Sequence, residues 1–159
     1  MSCKALVSAT QRVFPHRCST ALIVGLAADK NMTGIAESLA LLKPSLVLCV
    51  APDSCGLGAR GQPAPEVSAA FHTALARAGS TQDPTTLSVD SRSCQSLNLQ
   101  TVNGINEAFR QVGMWVQDRQ GIGCDGVPDY SLHSERAPLV CVTGSNFVVG
   151  AALHSLQSL

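Results

Sequence analysis

Apolar residues along this chain fall into two kinds of run that take turns. Four runs are short and rich in aliphatic and β-branched residues: TALIVGLA (20–27), SLVLCVA (45–51), TTLSV (85–89) and PLVCVTG (138–144). Three of the four are continuously apolar rather than alternating, which suits strands covered on both faces of a parallel sheet. Between them the period changes to that of a helix. In NMTGIAESLALL (31–42) Ile35, Leu39 and Leu42 share one face, and Lys43-Pro44 ends the pattern. PEVSAAFHTALARAG (65–79) starts on Pro65, repeats Val67, Phe71 and Leu75 at intervals of four, and stops at Gly79. TVNGINEAFRQVGMWVQD (101–118) places Val102, Ile105, Phe109 and Val112 in the same way, and a last helix is expected over 146–157. Strand alternating with helix predicts a doubly wound α/β fold, a mostly parallel sheet with helices on both faces. The chain reads as one α/β domain over 1–159, with irregular Gly- and Pro-bearing loops at 52–65 and 120–138.

The N-terminal segment supports two readings. Lys4, Arg12 and Arg17 precede the first acidic residue, Asp29, a bias found in organelle transit peptides. The same residues make a short surface helix with Leu6, Val7, Val13 and Phe14 on one face. The helix is preferred, because Phe14-Pro15 leads straight into a strand.

Composition narrows the function classes. A hydrophobic fraction of 45% and a mean hydropathy of +0.19 supply a real core rather than a disordered chain. With 11 basic and 11 acidic residues, no net field draws nucleic acid or an anionic membrane. One Trp, one Tyr and four Phe also offer few platforms for stacking bases. The seven Cys are odd in number, contain no C-x-x-C pair, and follow no secretory signal. A reduced intracellular compartment, cytoplasmic or mitochondrial, is therefore expected rather than a disulfide framework. No apolar run approaches the ~20 residues of a membrane span, so no membrane association is expected.

Candidate chemistry gathers in two loops, each following a strand and leading into a helix. The first, GLAADKNMTG, offers Asp29 and Lys30: the Lys to a phosphate or carboxylate, the Asp to a water, a cation or a ribose hydroxyl. On the residues alone, a solvated turn capping the next helix explains them equally and more simply. The second is Thr143-Gly144-Ser145. Gly144 permits a positive φ or a close backbone approach, and Thr143 or Ser145 can cap the helix that follows. Again a capped turn is the simpler reading. The chain has no G-x-x-x-x-G-K-[ST] and no G-x-G-x-x-G opening a helix; CGLGARG (55–61) lies in a Pro-flanked loop and is discounted. His16, His72, His133 and His154 are scattered without a sequence-local Cys, Ser or Asp partner. No catalytic residue and no metal ligand is assigned.

Taken together, LIVGLAADKNMTGIAESLALLKPSLVLCV and the closing PLVCVTGSNFVVGAAL resemble the C-terminal domain of the dihydrofolate synthase/folylpolyglutamate synthase family, relatives of the Mur ligases. The LALLKPSLVL and CVTGS phrasing is most similar to plant-type dihydrofolate synthase. The likeness is strong over 20–50 and 138–156 and weak between. It implies a Rossmann-like domain of an ATP-dependent ligase, in which a pteroate or folate carboxylate becomes an acyl phosphate that the glutamate amine attacks. ATP and magnesium are the cofactors it implies; glutamate, folate or dihydropteroate are the substrates. The P-loop and magnesium ligands would belong to a separate N-terminal ligase domain. The D-x-A-H-N-like strand that opens the family's domain is not in this sequence, so a truncated domain, inactive alone, is expected. Loss of that strand should also expose unpaired backbone and an apolar face. Asp29, Lys30, Thr143, Gly144 and Ser145 are the cleft residues the resemblance implies. Asn31 stands where the family carries a second acid, and Asn146 where it carries Leu. A non-catalytic α/β binding module, possibly half of a split ligase, and a small unrelated nucleotide or anion binder are the rival readings.

Overall fold

The two most apolar runs form the middle of the sheet. β1 (Thr20–Gly25) and β2 (Leu46–Val50) are buried at every position, as strands covered on both faces must be. The computed structural model describes residues 3–14, 19–51, 60–80, 98–119 and 138–157. Within it, β3 (Asn98–Val102) and β4 (Leu139–Gly144) complete a four-stranded sheet in the order β3-β2-β1-β4. All three pairings are parallel, so the expected mostly parallel sheet is wholly parallel among the described residues.

Side chains alternate between the faces of the sheet and divide the core in two. Leu22, Val24, Val47 and Cys49 point to one side, where they meet Val7 of α1 (Cys3–Val13), Leu39 of α2 (Met32–Ala40) and Val67 and Phe71 of α3 (Ala64–Ser80). Ala21, Ile23, Leu46 and Leu48 point to the other, against Ile105, Val112 and Trp115 of α4 (Ile105–Arg119) and Val148 and Ala152 of α5 (Asn146–Gln157). The doubly wound α/β expectation therefore holds.

α2 ends at Ala40, two residues before the expected Leu42, and the turn that follows closes at Lys43, which sits in the left-handed region at φ 48° and donates its N–H to Ala40 O at 2.9 Å. α3 begins one residue before Pro65, so Pro65 occupies its first turn, and it runs one residue past Gly79.

Two expectations are corrected and a third falls outside the described residues. The strand paired with β2 is 98–102, and the strand expected over 85–89 lies outside the described residues. NLQTV escapes an apolar search because among the described residues it is an edge strand, with Asn98 and Thr101 exposed. Val102 consequently ends β3 instead of opening the helical face of Ile105 and Val112, although all three share one cluster. The second correction concerns α1: Val7 is buried and Leu6 packs on the core, but Val13 and Phe14 are 66% and 47% exposed. Of the two expected loops, 52–59 and 120–137 lie outside the described residues, and Ala64 and Pro65 are already helical.

Candidate functional site

β1 and β4 run side by side in register from Thr20 opposite Leu139 to Gly25 opposite Gly144. Beyond that pair the two segments separate. β1 leads to α2 on one face of the sheet, and β4 leads to α5 on the other. Neighbouring parallel strands whose connections leave to opposite faces open a crevice at their carboxyl ends, the place where open α/β sheets take ligands.

Two glycines make this close approach possible. Gly144 has φ +121°, and a Cβ on it would run into the carbonyl oxygen of Gly25. A Cβ on Gly25 would in turn lie 2.5 Å from Val148 Cγ2. The next residue locks the turn: Ser145 donates its backbone N–H to Gly25 O at 2.9 Å. Its buried hydroxyl accepts the Val148 N–H at 3.3 Å, which makes Ser145 the N-cap of α5. Thr143 is half-buried on β4, opposite Val24. Of the three residues in the closing turn, Gly144 and Ser145 thus have definite structural work.

The other rim is built by the segment after β1. Lys30 donates its backbone N–H to Ala27 O at 3.1 Å, closing a tight turn. The Asn31 side chain then accepts from Gly34 N at 3.0 Å and caps α2. Lys30 Nζ and Asp29 Oδ2 are 3.2 Å apart with side chains 51% and 71% exposed, a pair worth less than about 1 kcal/mol in water. An anionic ligand could displace that pairing at little cost, since the Lys30 ammonium is not buried against its partner. Asp29 and Lys30 bond to each other and within their own turn; the structure aligns them with the Thr143–Ser145 turn only through the β1–β4 pairing.

A third segment, discounted on sequence grounds, belongs to the same rim. Ala28 N donates to Arg60 O at 2.7 Å, Gln62 N to Leu26 O at 2.8 Å, and Gln62 Nε2 to Ala28 O at 3.0 Å. Residues 60–62 therefore strap the Asp29–Lys30 turn in place. The available signal was positional: they follow β2, and the ends of β2 and β1 must lie together in a parallel sheet. An open groove of about 440 Å³ between α2 and α3 contains none of these residues; Arg77 and Glu37, 3.0 Å apart, are among its lining. Among the described residues no group of His, Cys, Asp or Glu is arranged to hold a metal ion, and no helix is long and apolar enough to cross a membrane.

No protein-family model matches the chain, and no curated protein matches it in sequence. Two solved structures match in fold. A Mycobacterium tuberculosis folylpolyglutamate synthase complexed with ADP superposes with a TM-score of 0.63 at 14% identity, over 99% of this chain and 27% of its own. Structures of Mycobacterium tuberculosis folylpolyglutamate synthase complexed with ADP and AMPPCP give a TM-score of 0.59 at 17% identity, over 98% of this chain and 28% of theirs. This chain therefore has the fold of a part of folylpolyglutamate synthase, and spans little more than a quarter of that enzyme's length.

Proposed function

We propose that this chain is a C-terminal domain piece of an ATP-dependent folate ligase and does not catalyse the reaction by itself. One observation carries the reading: the two motifs of the family resemblance, far apart in sequence, end on adjacent strands at one switch point. The fold shared with the folylpolyglutamate synthase structures supports it. The crevice between β1 and β4 is then one wall of a nucleotide and substrate cleft. Lys30 is the residue to meet a phosphate or substrate carboxylate, with Asp29 as the partner it exchanges for that ligand. Gly144 and Ser145 shape the opposite lip, and Thr143 closes β4 beneath it. ATP fits this wall as a ligand held at its phosphates. When bound it supplies the phosphoryl group that activates the folate or dihydropteroate carboxylate for attack by the glutamate amine. Magnesium meets a single acid on the described rim, Asp29, so its ligands are assigned to a separate N-terminal ligase domain, together with the phosphate-cradling loop. That domain is the principal partner.

The test is an ATP- and glutamate-dependent ligase assay with dihydropteroate and with folate as acceptors. The purified chain is expected to give no product and no ADP, whereas a stable complex with a P-loop ligase domain is expected on co-purification. Turnover by the chain alone would overturn the claim of inactivity. Failure to bind any ligase domain, with tight nucleotide binding by the isolated chain in calorimetry, would favour a small independent nucleotide binder.

A further inference from the structure

Beyond β1 the chain leaves the core within a few residues. Leu26 is buried, Ala27 is half-buried, and Ala28, Asp29 and Lys30 are exposed. Apolar packing therefore does not decide where the Asp29–Lys30 turn stands, and hydrogen bonds must. Lys30 N donates to Ala27 O at 3.1 Å, within the turn itself. Three more bonds come from residues 60–62. Arg60 O accepts from Ala28 N at 2.7 Å, Gln62 N donates to Leu26 O at 2.8 Å, and Gln62 Nε2 donates to Ala28 O at 3.0 Å.

Gln62 is the residue that makes this clamp depend on sequence. The backbone bonds need only an N–H, which every residue but proline supplies. The bond to Ala28 O needs a side chain of this length that ends in a donor. Ala28 is thus held at both its groups, the N–H by Arg60 and the C=O by Gln62. Because a peptide unit is planar, holding the Ala28 oxygen fixes the direction in which the chain enters Asp29 and then Lys30. The Gln62 side-chain bond is exposed, so losing it exchanges one partner for water and costs the fold little.

We propose that Gln62 is a positioning residue of the crevice rim: its carboxamide fixes the peptide leading into Asp29 and so sets where the Lys30 ammonium stands for an incoming anion. The inference rests on the reading that Lys30 meets a phosphate or carboxylate, and it adds a residue that acts through the turn rather than on the ligand. A turn that wanders must be ordered when the anion binds, and that ordering weakens affinity. With the Ala28 carbonyl held, the ordering is complete before the ligand arrives. The clamp also joins segments 34 residues apart, so the charged turn keeps its place relative to the start of α3.

The experiment follows the Lys30 amide of the full 159-residue chain by NMR, with inorganic pyrophosphate added from about 0.1 to 20 mM. Gln62→Met keeps the length of the side chain and removes the donor. Gln100→Met is the control, because Gln100 also donates an exposed side-chain bond, to Asn98 Oδ1 at 2.8 Å on β3. Wild type and Gln100→Met are expected to shift at Lys30 and to saturate at the same concentration. Gln62→Met should need about fivefold more pyrophosphate and exchange its Lys30 amide about fivefold faster, with an unchanged urea midpoint. Equal affinity and equal exchange in wild type and Gln62→Met overturn the proposal and leave the anion role of Lys30 standing. No response at Lys30 in the wild type removes that role and overturns the proposal with it. A urea midpoint that falls in step with the affinity makes Gln62 a residue of the fold, and overturns it as well.

Discussion

At Gly144 two penalties coincide: a φ of +121°, which L-residues rarely adopt, and a Cβ position that the Gly25 carbonyl already fills. The blocking atom is backbone in a buried central strand, so it cannot rotate away. Gly144→Ala is therefore expected to lower stability by more than about 3 kcal/mol, read by urea unfolding. Gly150, in α5, has nothing within 4 Å of where a methyl group would stand; there, Gly150→Ala should gain about 1 kcal/mol from helix propensity. Equal losses at both sites would show that the turn is not the constraint. Cys49 makes a different kind of prediction. Burial in β2 pushes its thiol from 9.0 up to about 12. Below pH 9 both folded and unfolded states hold the proton and the group contributes no pH dependence. Between about 9 and 12 the unfolded thiol ionises and the folded one does not, so stability falls with rising pH by up to about 1.4 kcal/mol per pH unit. Melts of wild type and Cys49→Ala across that window check the sign: the variant should lose this component of the slope.

Among elements, legibility followed burial. β1 and β2 could be read directly because both faces of each are covered, leaving an unbroken apolar run. β4 reads the same way yet is half-exposed, since hydrophobicity reports what a strand can bury and not what is there to cover it. β3 was illegible because an edge strand must tolerate water, and NLQTV does so with Asn and Gln. The site was legible in part. Asp29, Lys30 and the Thr143–Ser145 turn announce themselves as strand-to-helix junctions. Their alignment depends on β4 crossing back to lie beside β1, which no local pattern encodes. The two junction caps are equivalent in chemistry but not in burial. Asn31 is exposed, whereas Ser145 is 6% exposed. Asn31→Ala should cost about 1 kcal/mol, the ordinary worth of an N-cap. Ser145→Ala should cost more, about 2 kcal/mol, because the Val148 N–H is left without its partner away from water. Chemical denaturation of the two variants ranks them; the reverse order would mean that Ser145 is not the cap of α5.

Among the described residues, two core layers meet across the sheet, and its two central strands supply most of the strand side chains of both. Leu22, Val24, Val47 and Cys49 belong to the α1–α2–α3 layer, while Ala21, Ile23, Leu46 and Leu48 belong to the α4–α5 layer. Neither layer can come apart without exposing one face of β1 and β2, so these strands open only when everything does. Among the described residues the edge strands are paired on one side, and they open at lower energy. Asn98 N donates to Ser45 O at 3.0 Å, so the even-numbered amides of β3 face β2 and those of Leu99 and Thr101 face outward. Hydrogen exchange should then resolve three classes. Amides from Ala21 to Val24 and from Val47 to Cys49 exchange at the rate set by global unfolding and follow its denaturant dependence. The inward amides of β3 exchange through local opening, with little denaturant dependence. Leu99 and Thr101 exchange fastest, close to the rate of an unprotected amide. If β1 and β2 exchanged by separate routes with different free energies, the two layers would be independent units, and the shared central pair would not be what unites them.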